Sequence, residues 1–334
     1  MNKLYIVIII LPLIFGSCKK EDVNPVTNTT ANAEARDALY DLVTEWYLWY
    51  KNIPALTLAD YKDPYELMDA TRYKALDRWS FVADYASFMA SMQGSFVGHG
   101  IRIGLDPANK ARIVSIYNNA PMYPYKVRRG WIIKKINGVD LAPILIAKDA
   151  IAYNNLLGAS TAGIQNTFLF TTNRGNDTTI TTAKASFTVN SVTYYDTLEL
   201  QNGRTGYLVF DEFIEPSSNE LKAAFAFFHG NNVKDLILDL RYNSGGILNV
   251  ATELASYISG KTTADVLVKS TYNDKKSSQN ATQYFTTVTT PLVLSRLVVI
   301  TSRETASASE VVINGLKPYM NVVTIGDTTN GKPT

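Results

Sequence analysis

One cysteine and two histidines are all that 334 residues supply of the usual thiol and imidazole ligands. A lone thiol cannot close an intramolecular disulfide, so no disulfide framework is available to hold the fold. There is no HExxH run and no cysteine cluster, which removes the usual zinc arrangements, and no metal or organic cofactor is implied. His99 and His229 have no carboxylate in an orienting pattern beside them, so the sequence gives a Ser/His/Asp triad no support. The formal net charge is only +2 and no basic stripe interleaved with aromatics occurs, so nothing points to a nucleic-acid partner. The apolar run from Leu4 to Phe15 is too short to cross a bilayer as a helix.

What is present starts at that run. Met1-Asn2-Lys3 followed by an apolar stretch has the pattern of a secretory signal. It ends in Phe15-Gly16-Ser17-Cys18, and small residues directly before a cysteine resemble the lipobox of bacterial lipoproteins. That resemblance implies a signal peptide over residues 1–17, cleavage before Cys18, lipidation of Cys18, and a lipid membrane as partner. The expected location is the cell envelope, anchored to the outer membrane and facing either the periplasm or the exterior. Residues 18–34 are rich in Asn, Thr and Ala and read as a flexible linker.

Residues 35–93 are expected to be helical: Leu39, Leu42, Val43, Trp46 and Trp49 or Tyr50 recur at steps of three and four. Residues 94–190 have the texture of short strands. Arg112–Tyr117 alternates, Gly130–Ile136 runs into the Asn137-Gly138 turn, and a helix is expected around Ile144–Leu157. The segment Ala120-Pro121 to Leu141, through Gly130-Trp131-Ile132-Ile133, resembles a PDZ domain of the protease-associated type, with Trp131 where an Asp is common. The resemblance implies that a peptide adds as an extra strand, its terminal carboxylate held by the Gly98-His99-Gly100-Ile101 loop. Read from the residues alone, these glycines equally permit a tight turn.

Residues 191–334 alternate strands (Gly206–Phe210, Val233–Leu240, Leu297–Thr301, Val322–Gly326), the second and third of them buried, with helices (Asn219–His229, Leu248–Ile258, and from Glu310), the βαβ order of a parallel sheet. Two loops follow strand ends, where chemistry in such sheets is expected. Asp239-Leu240-Arg241-Tyr242-Asn243-Ser244-Gly245-Gly246 is half of an oxyanion hole or a plain strand-to-helix turn. Thr305-Ala306-Ser307-Ala308-Ser309-Glu310 places a serine at a helix head, as nucleophile or as N-cap.

These two loops, with Gly331-Lys332 near the end, resemble the C-terminal processing, or tail-specific, serine proteases. Ser307 and Lys332 stand 25 positions apart, the separation usual for the Ser–Lys pair of that family. The resemblance implies an α/β catalytic core with a ClpP/crotonase-like sheet, a PDZ-like β-rich domain and an N-terminal helical cap. It makes Ser307 the nucleophile and Lys332 the general base, with the N–H of Ala308 and one from Gly245 or Gly246 binding the oxyanion. Substrates would be polypeptides with exposed C-terminal tails. A neutral lysine is required, about 3 pH units below its ordinary range, or roughly 4 kcal/mol of environmental bias. Asn330 replaces the aromatic usual before Gly-Lys, and the chain stops at Thr334, so a catalytic domain longer than this stretch is expected. The alternatives are an inactive PDZ-containing peptide-binding lipoprotein and an esterase using the same pair.

Overall fold

Helix α1 (Thr29–Trp46) buries Leu39 and Val43, and Tyr47 just past its end continues the step of four, against Leu67 and Met68 of α2 (Pro64–Thr71). In this computed structural model, which describes residues 29–201 and 203–332, α1 starts inside the stretch expected to be linker. Ala31, Ala33 and Ala35 are strong helix formers, which outweighs the polar neighbours. The expectation for Trp46 is corrected: it is 44% exposed, one position off the stripe, and its ring lies edge-on to Tyr272 with Lys276 above it. The start of α2 is encoded locally, since Asp63 caps the N–H groups of Tyr65 and Glu66 and Pro64 fits the first turn. Helix α3 (Tyr85–Met92) closes the segment. The signal peptide, Cys18 and the linker up to residue 28 lie outside the described residues.

Next in the chain come β1 (Ser95–Gly98), β2 (Ile101–Leu105), β3 (Ala111–Ile116), β4 (Ile132–Ile136), β5 (Val139–Asp140), α4 (Leu141–Ile146), α5 (Ala150–Leu157), β6 (Gln165–Thr171), β7 (Asp177–Ala183) and β8 (Ala185–Thr188). Strands β2-β3-β4-β6-β7 form an antiparallel sheet with β5 on β4, and β1 pairs with β8. Its core is Ile113, Met122, Ile133, Ile136, Phe168 and Phe170. The single helix expected over Ile144–Leu157 is two: Lys148 turns left-handed (φ +53°) and Asp149 caps a new helix through the N–H of Ala152.

The rest of the chain holds β9 (Val192–Leu200), β10 (Gly203–Phe210), α6 (Ser217–Gly230), β11 (Asp235–Asp239), α7 (Leu248–Ser259), β12 (Val266–Ser270), β13 (Ala281–Tyr284), β14 (Arg296–Thr301), α8 (Ala308–Leu316) and β15 (Asn321–Gly326). The sheet order is β15-β14-β11-β10-β9, and β10, β11, β14 and β15 are mutually parallel. Leu208, Phe210, Leu236, Leu238, Leu297 and Val299 bury the strands completely or nearly so, as a sheet covered by crossover helices requires. The chain forms two compact units, Gln93–Thr193 and the remainder, so helices α1–α3 share one unit with this parallel sheet. Asn273 stitches them together, its amide donating to the carbonyls of Glu45 and Tyr47.

Candidate active site

Parallel strands deliver their C-terminal ends to one edge, and here those ends carry the two loops singled out in the sequence. After β14 the chain turns sharply into α8, and Ser307 is the residue at the turn. It sits at φ +55°, ψ −119°, a conformation that L-residues rarely adopt. Strand-to-helix turns strained in this way project a serine from the edge of a sheet. Ser307 is the N-cap of α8 and forms a capping box with Glu310. Ser309 is not the cap; its hydroxyl donates to the Asn243 carbonyl at 3.0 Å.

The Gly-Gly loop is fitted against that turn. Gly245 has φ +103°, and a Cβ there would lie 2.7 Å from Ser307 Cβ and 2.9 Å from the Ala306 carbonyl oxygen. Gly246 has φ +135°, with the Phe213 carbonyl oxygen 2.1 Å from a Cβ. Asn243 holds the loop: Nδ2 donates to the Phe210 carbonyl at 2.9 Å, and Oδ1 accepts the Gly245 N–H at 2.9 Å. That bond distinguishes the two glycines between which the sequence left the choice open. Gly245 has already spent its N–H on Asn243, whereas among the described residues the N–H groups of Gly246 and Ala308 meet no protein acceptor. Gly245→Ala is therefore expected to lower stability by about 1–3 kcal/mol, through strain and contact with the Ser307 turn, read as a drop in thermal midpoint.

Glu310, in the first turn of α8, gathers the site. Its Oε2 accepts the N–H of Ser307 at 2.8 Å and the N–H of Lys332 at 3.0 Å. Its Oε1 accepts the N–H of Gly331 and the hydroxyl of Thr329, both at 2.6 Å. Gly331 has φ +74°, and consecutive N–H groups at 331 and 332 both turn onto the carboxylate, a small anion-binding nest. Ser307 and Lys332, far apart in sequence, thus meet at one oxygen atom.

Both are buried, Ser307 at 3% and Lys332 at 4% exposure, and among the described residues Lys332 Nζ has no hydrogen-bond partner. Burial pushes the Lys332 amine down to about 8, against the upward pull of the Glu310 and Asp77 charges. The histidines stand elsewhere. His99 belongs to the unit Gln93–Thr193, its Nε2 2.6 Å from Asn166 Oδ1, and burial lowers its pKa. His229 is exposed in the last turn of α6. Gly98, His99, Gly100 and Ile101 span the end of β1 and the start of β2, where the carbonyls of His99 and Gly100 accept from Met122 and Tyr117. Among the described residues no group of three His, Cys, Asp or Glu side chains is placed to hold a metal.

Glu310, Asn243 and Asp77 had no assigned role in the sequence reading. Ser307-x-x-Glu310 does have the spacing of a capping box, the one local signal that could have found Glu310.

Comparison with known proteins follows the same segments. The family model "Peptidase family S41" matches residues 204–334, and "Peptidase S41 N-terminal domain" matches residues 22–81. A carboxyl-terminal-processing protease of Picosynechococcus is 24% identical over 250 residues, covering 74% of this chain and 57% of the relative. The carboxy-terminal processing protease CtpB of Bacillus subtilis is 25% identical over 253 residues, covering 74% and 49%. The matched stretches are thus about half the length of these relatives. A crystal structure from Bacteroides fragilis assigned to the S41 proteases shares the fold, with TM-score 0.65 and 22% identity over 88% of this chain and 79% of that one. Two models of one family cover more than half the residues between them, one on the helical segment and one on the sheet that carries Ser307 and Lys332, and the chain belongs to peptidase family S41.

Proposed function

We propose that the protein is a serine endopeptidase working through a Ser307–Lys332 dyad. The observation that carries this is the shared Glu310 oxygen within 3.0 Å of the main-chain nitrogens of both residues. Neutral Lys332 takes the Ser307 proton as Oγ bonds to the peptide carbonyl carbon. The N–H groups of Ala308 and Gly246 hold the resulting oxyanion, helped by the positive end of α8. Collapse breaks the C–N bond, and the lysine ammonium gives its proton to the leaving amine. Water then hydrolyses the acyl-enzyme, with Lys332 again accepting a proton.

Polypeptides with exposed C-terminal tails are the proposed substrates, in line with the names of the relatives. The Gln93–Thr193 unit is proposed to act as a PDZ-like module in which a tail adds as a strand, its carboxylate meeting the Gly98–Ile101 loop. Anchoring through Cys18 would hold the enzyme at the outer membrane, where envelope polypeptides are at hand.

The test is to incubate the full-length protein with a disordered polypeptide, quench in acid, and measure intact and digested masses. Fragments are expected, together with an acyl adduct on the peptide containing Ser307 that is absent from Ser307→Ala. Cleavage that persists in Ser307→Ala overturns the proposal. Binding without cleavage by the unaltered protein would favour the peptide-binding alternative.

A further inference from the structure

The Asp77–Ser80 loop, between α2 and α3, reaches the segment that carries Lys332. Trp79 Nε1 donates to Asn330 Oδ1 at 2.7 Å, and Arg78 Nη2 donates to the Asn330 carbonyl at 2.5 Å. Asn330 completes the join on its other side. Its Nδ2 donates to the Arg303 carbonyl at 3.0 Å, and its N–H donates to the Thr305 carbonyl at 2.8 Å, just before the Ser307 turn. An amide, with one acceptor and one donor group, serves both sides in a way that an aromatic at this position could not.

The loop itself is braced. Asp77 is 2% exposed; its Oδ1 accepts the N–H groups of Trp79 and Ser80, and its Oδ2 accepts the Tyr47 hydroxyl at 2.7 Å. Tyr47 in turn accepts the Tyr73 N–H at 2.9 Å, so the clamp is anchored in the α1–α2 core. Burial pushes the Asp77 carboxyl up, but its hydrogen bonds from Tyr47, Ser80 and Trp79 outweigh that and hold it below the ordinary range.

Building on the dyad reading, we propose that the Asp77–Ser80 loop is a positioning element of the active site: Trp79 and Arg78 fix the Lys332 segment through Asn330, and the Asp77 carboxylate biases the Lys332 amine by its charge. Among the described residues, the charges that act on this amine are those of Glu310 from α8 and Asp77 from the loop. The N-terminal helical segment thereby becomes a working part of the catalytic centre.

The two halves of the proposal give shifts of opposite sign. Asp77→Asn removes the charge and keeps an oxygen for the Trp79 and Ser80 N–H groups, so the Lys332 titration midpoint should fall by about 0.5–1 pH unit. Trp79→Phe keeps the ring but drops the Asn330 bond, so the segment loosens, water reaches the amine, and the midpoint should rise by a similar amount. In Trp79→Phe, kcat should also fall about tenfold with KM unchanged. Asn330→Ala removes the same bond from the other side and replaces Trp79→Phe if that variant folds poorly.

Midpoints are read twice in the full-length protein: from the pH profile of kcat/KM, and from the pH dependence of Lys332 acetylation by acetic anhydride, followed by peptide mass spectrometry. Opposed shifts in the acetylation profile support the proposal even if no peptidase activity is found, a result that would instead count against the dyad reading. Midpoints left at the wild-type value in Asp77→Asn and in the Asn330-uncoupled variant, or shifted the same way in both, overturn it.

Discussion

Lys332→Arg should retain less than about a thousandth of wild-type kcat/KM, because a guanidinium cannot give up its proton to become a base. Wild-type kcat/KM should climb with pH to a plateau, with a midpoint near the lowered Lys332 value of about 8. Lys332→Met should be as inactive as the arginine variant but more stable than wild type at neutral pH. The sign follows from linkage. The amine titrates at about 8 in the folded protein and near 10.5 when unfolded, so between those values the unfolded chain binds more protons. Wild-type stability therefore rises through that window, and below pH 8 the folded state carries the full penalty of a buried ammonium, on the order of 3 kcal/mol. Methionine removes the penalty, so its advantage should be largest at pH 7 and vanish above about 10.5. Denaturant melts at the two ends of the window measure the difference. An active arginine variant, or a methionine variant less stable than wild type at pH 7 with no recovery relative to it, would rule out a desolvated lysine as the base.

The parallel sheet was readable because its strands are short buried runs bounded by small polar turns, as Asp235–Asp239 and Arg296–Thr301 show. Strand β9 was missed: Tyr194, Tyr195, Leu198 and Leu200 are exposed on an outer strand, which erases the inside–outside alternation. The β12–β13 hairpin was missed as well, its arms joined through the polar stretch Asp274–Gln279 rather than a tight glycine turn. At the site, spacing and loop type marked Ser307, Lys332 and the glycine pair as candidates, and the fold brings the Ser307 turn and the Lys332 segment onto one carboxylate. Spacing and loop type could not say which of Gly245 and Gly246 keeps its N–H free, because that rests on which way the Asn243 amide points. Nor could spacing reveal the partners of Glu310. Thr329, Gly331 and Lys332 reach it only because β15 runs parallel to β14 and returns the chain to the same edge of the sheet.

Glu310 supports the second large expectation. Its two oxygens accept from Ser307, Lys332, Gly331 and Thr329, and an isosteric amide cannot replace that. In Glu310→Gln the new NH2 meets an existing donor whichever way the amide turns: the N–H groups of Ser307 and Lys332 on one side, or the Gly331 N–H on the other, where only the Thr329 hydroxyl can turn and accept. At roughly 1–3 kcal/mol for each lost or opposed charged bond, the variant should unfold about 3 kcal/mol more easily and lose about a hundredfold in kcat. Thr329→Val, which deletes a single donor and leaves the carboxylate in place, should cost only about 1 kcal/mol and little activity. The pH profile separates misplacement from simple destabilisation. The Glu310 charge holds the Lys332 amine up, so its removal should bring the midpoint below about 8 even as the plateau falls. A lower plateau reached at lower pH requires both a displaced dyad and a lost charge beside the amine. If Glu310→Gln melts like the wild type and keeps its kcat, the carboxylate is not what joins the serine turn to the lysine segment.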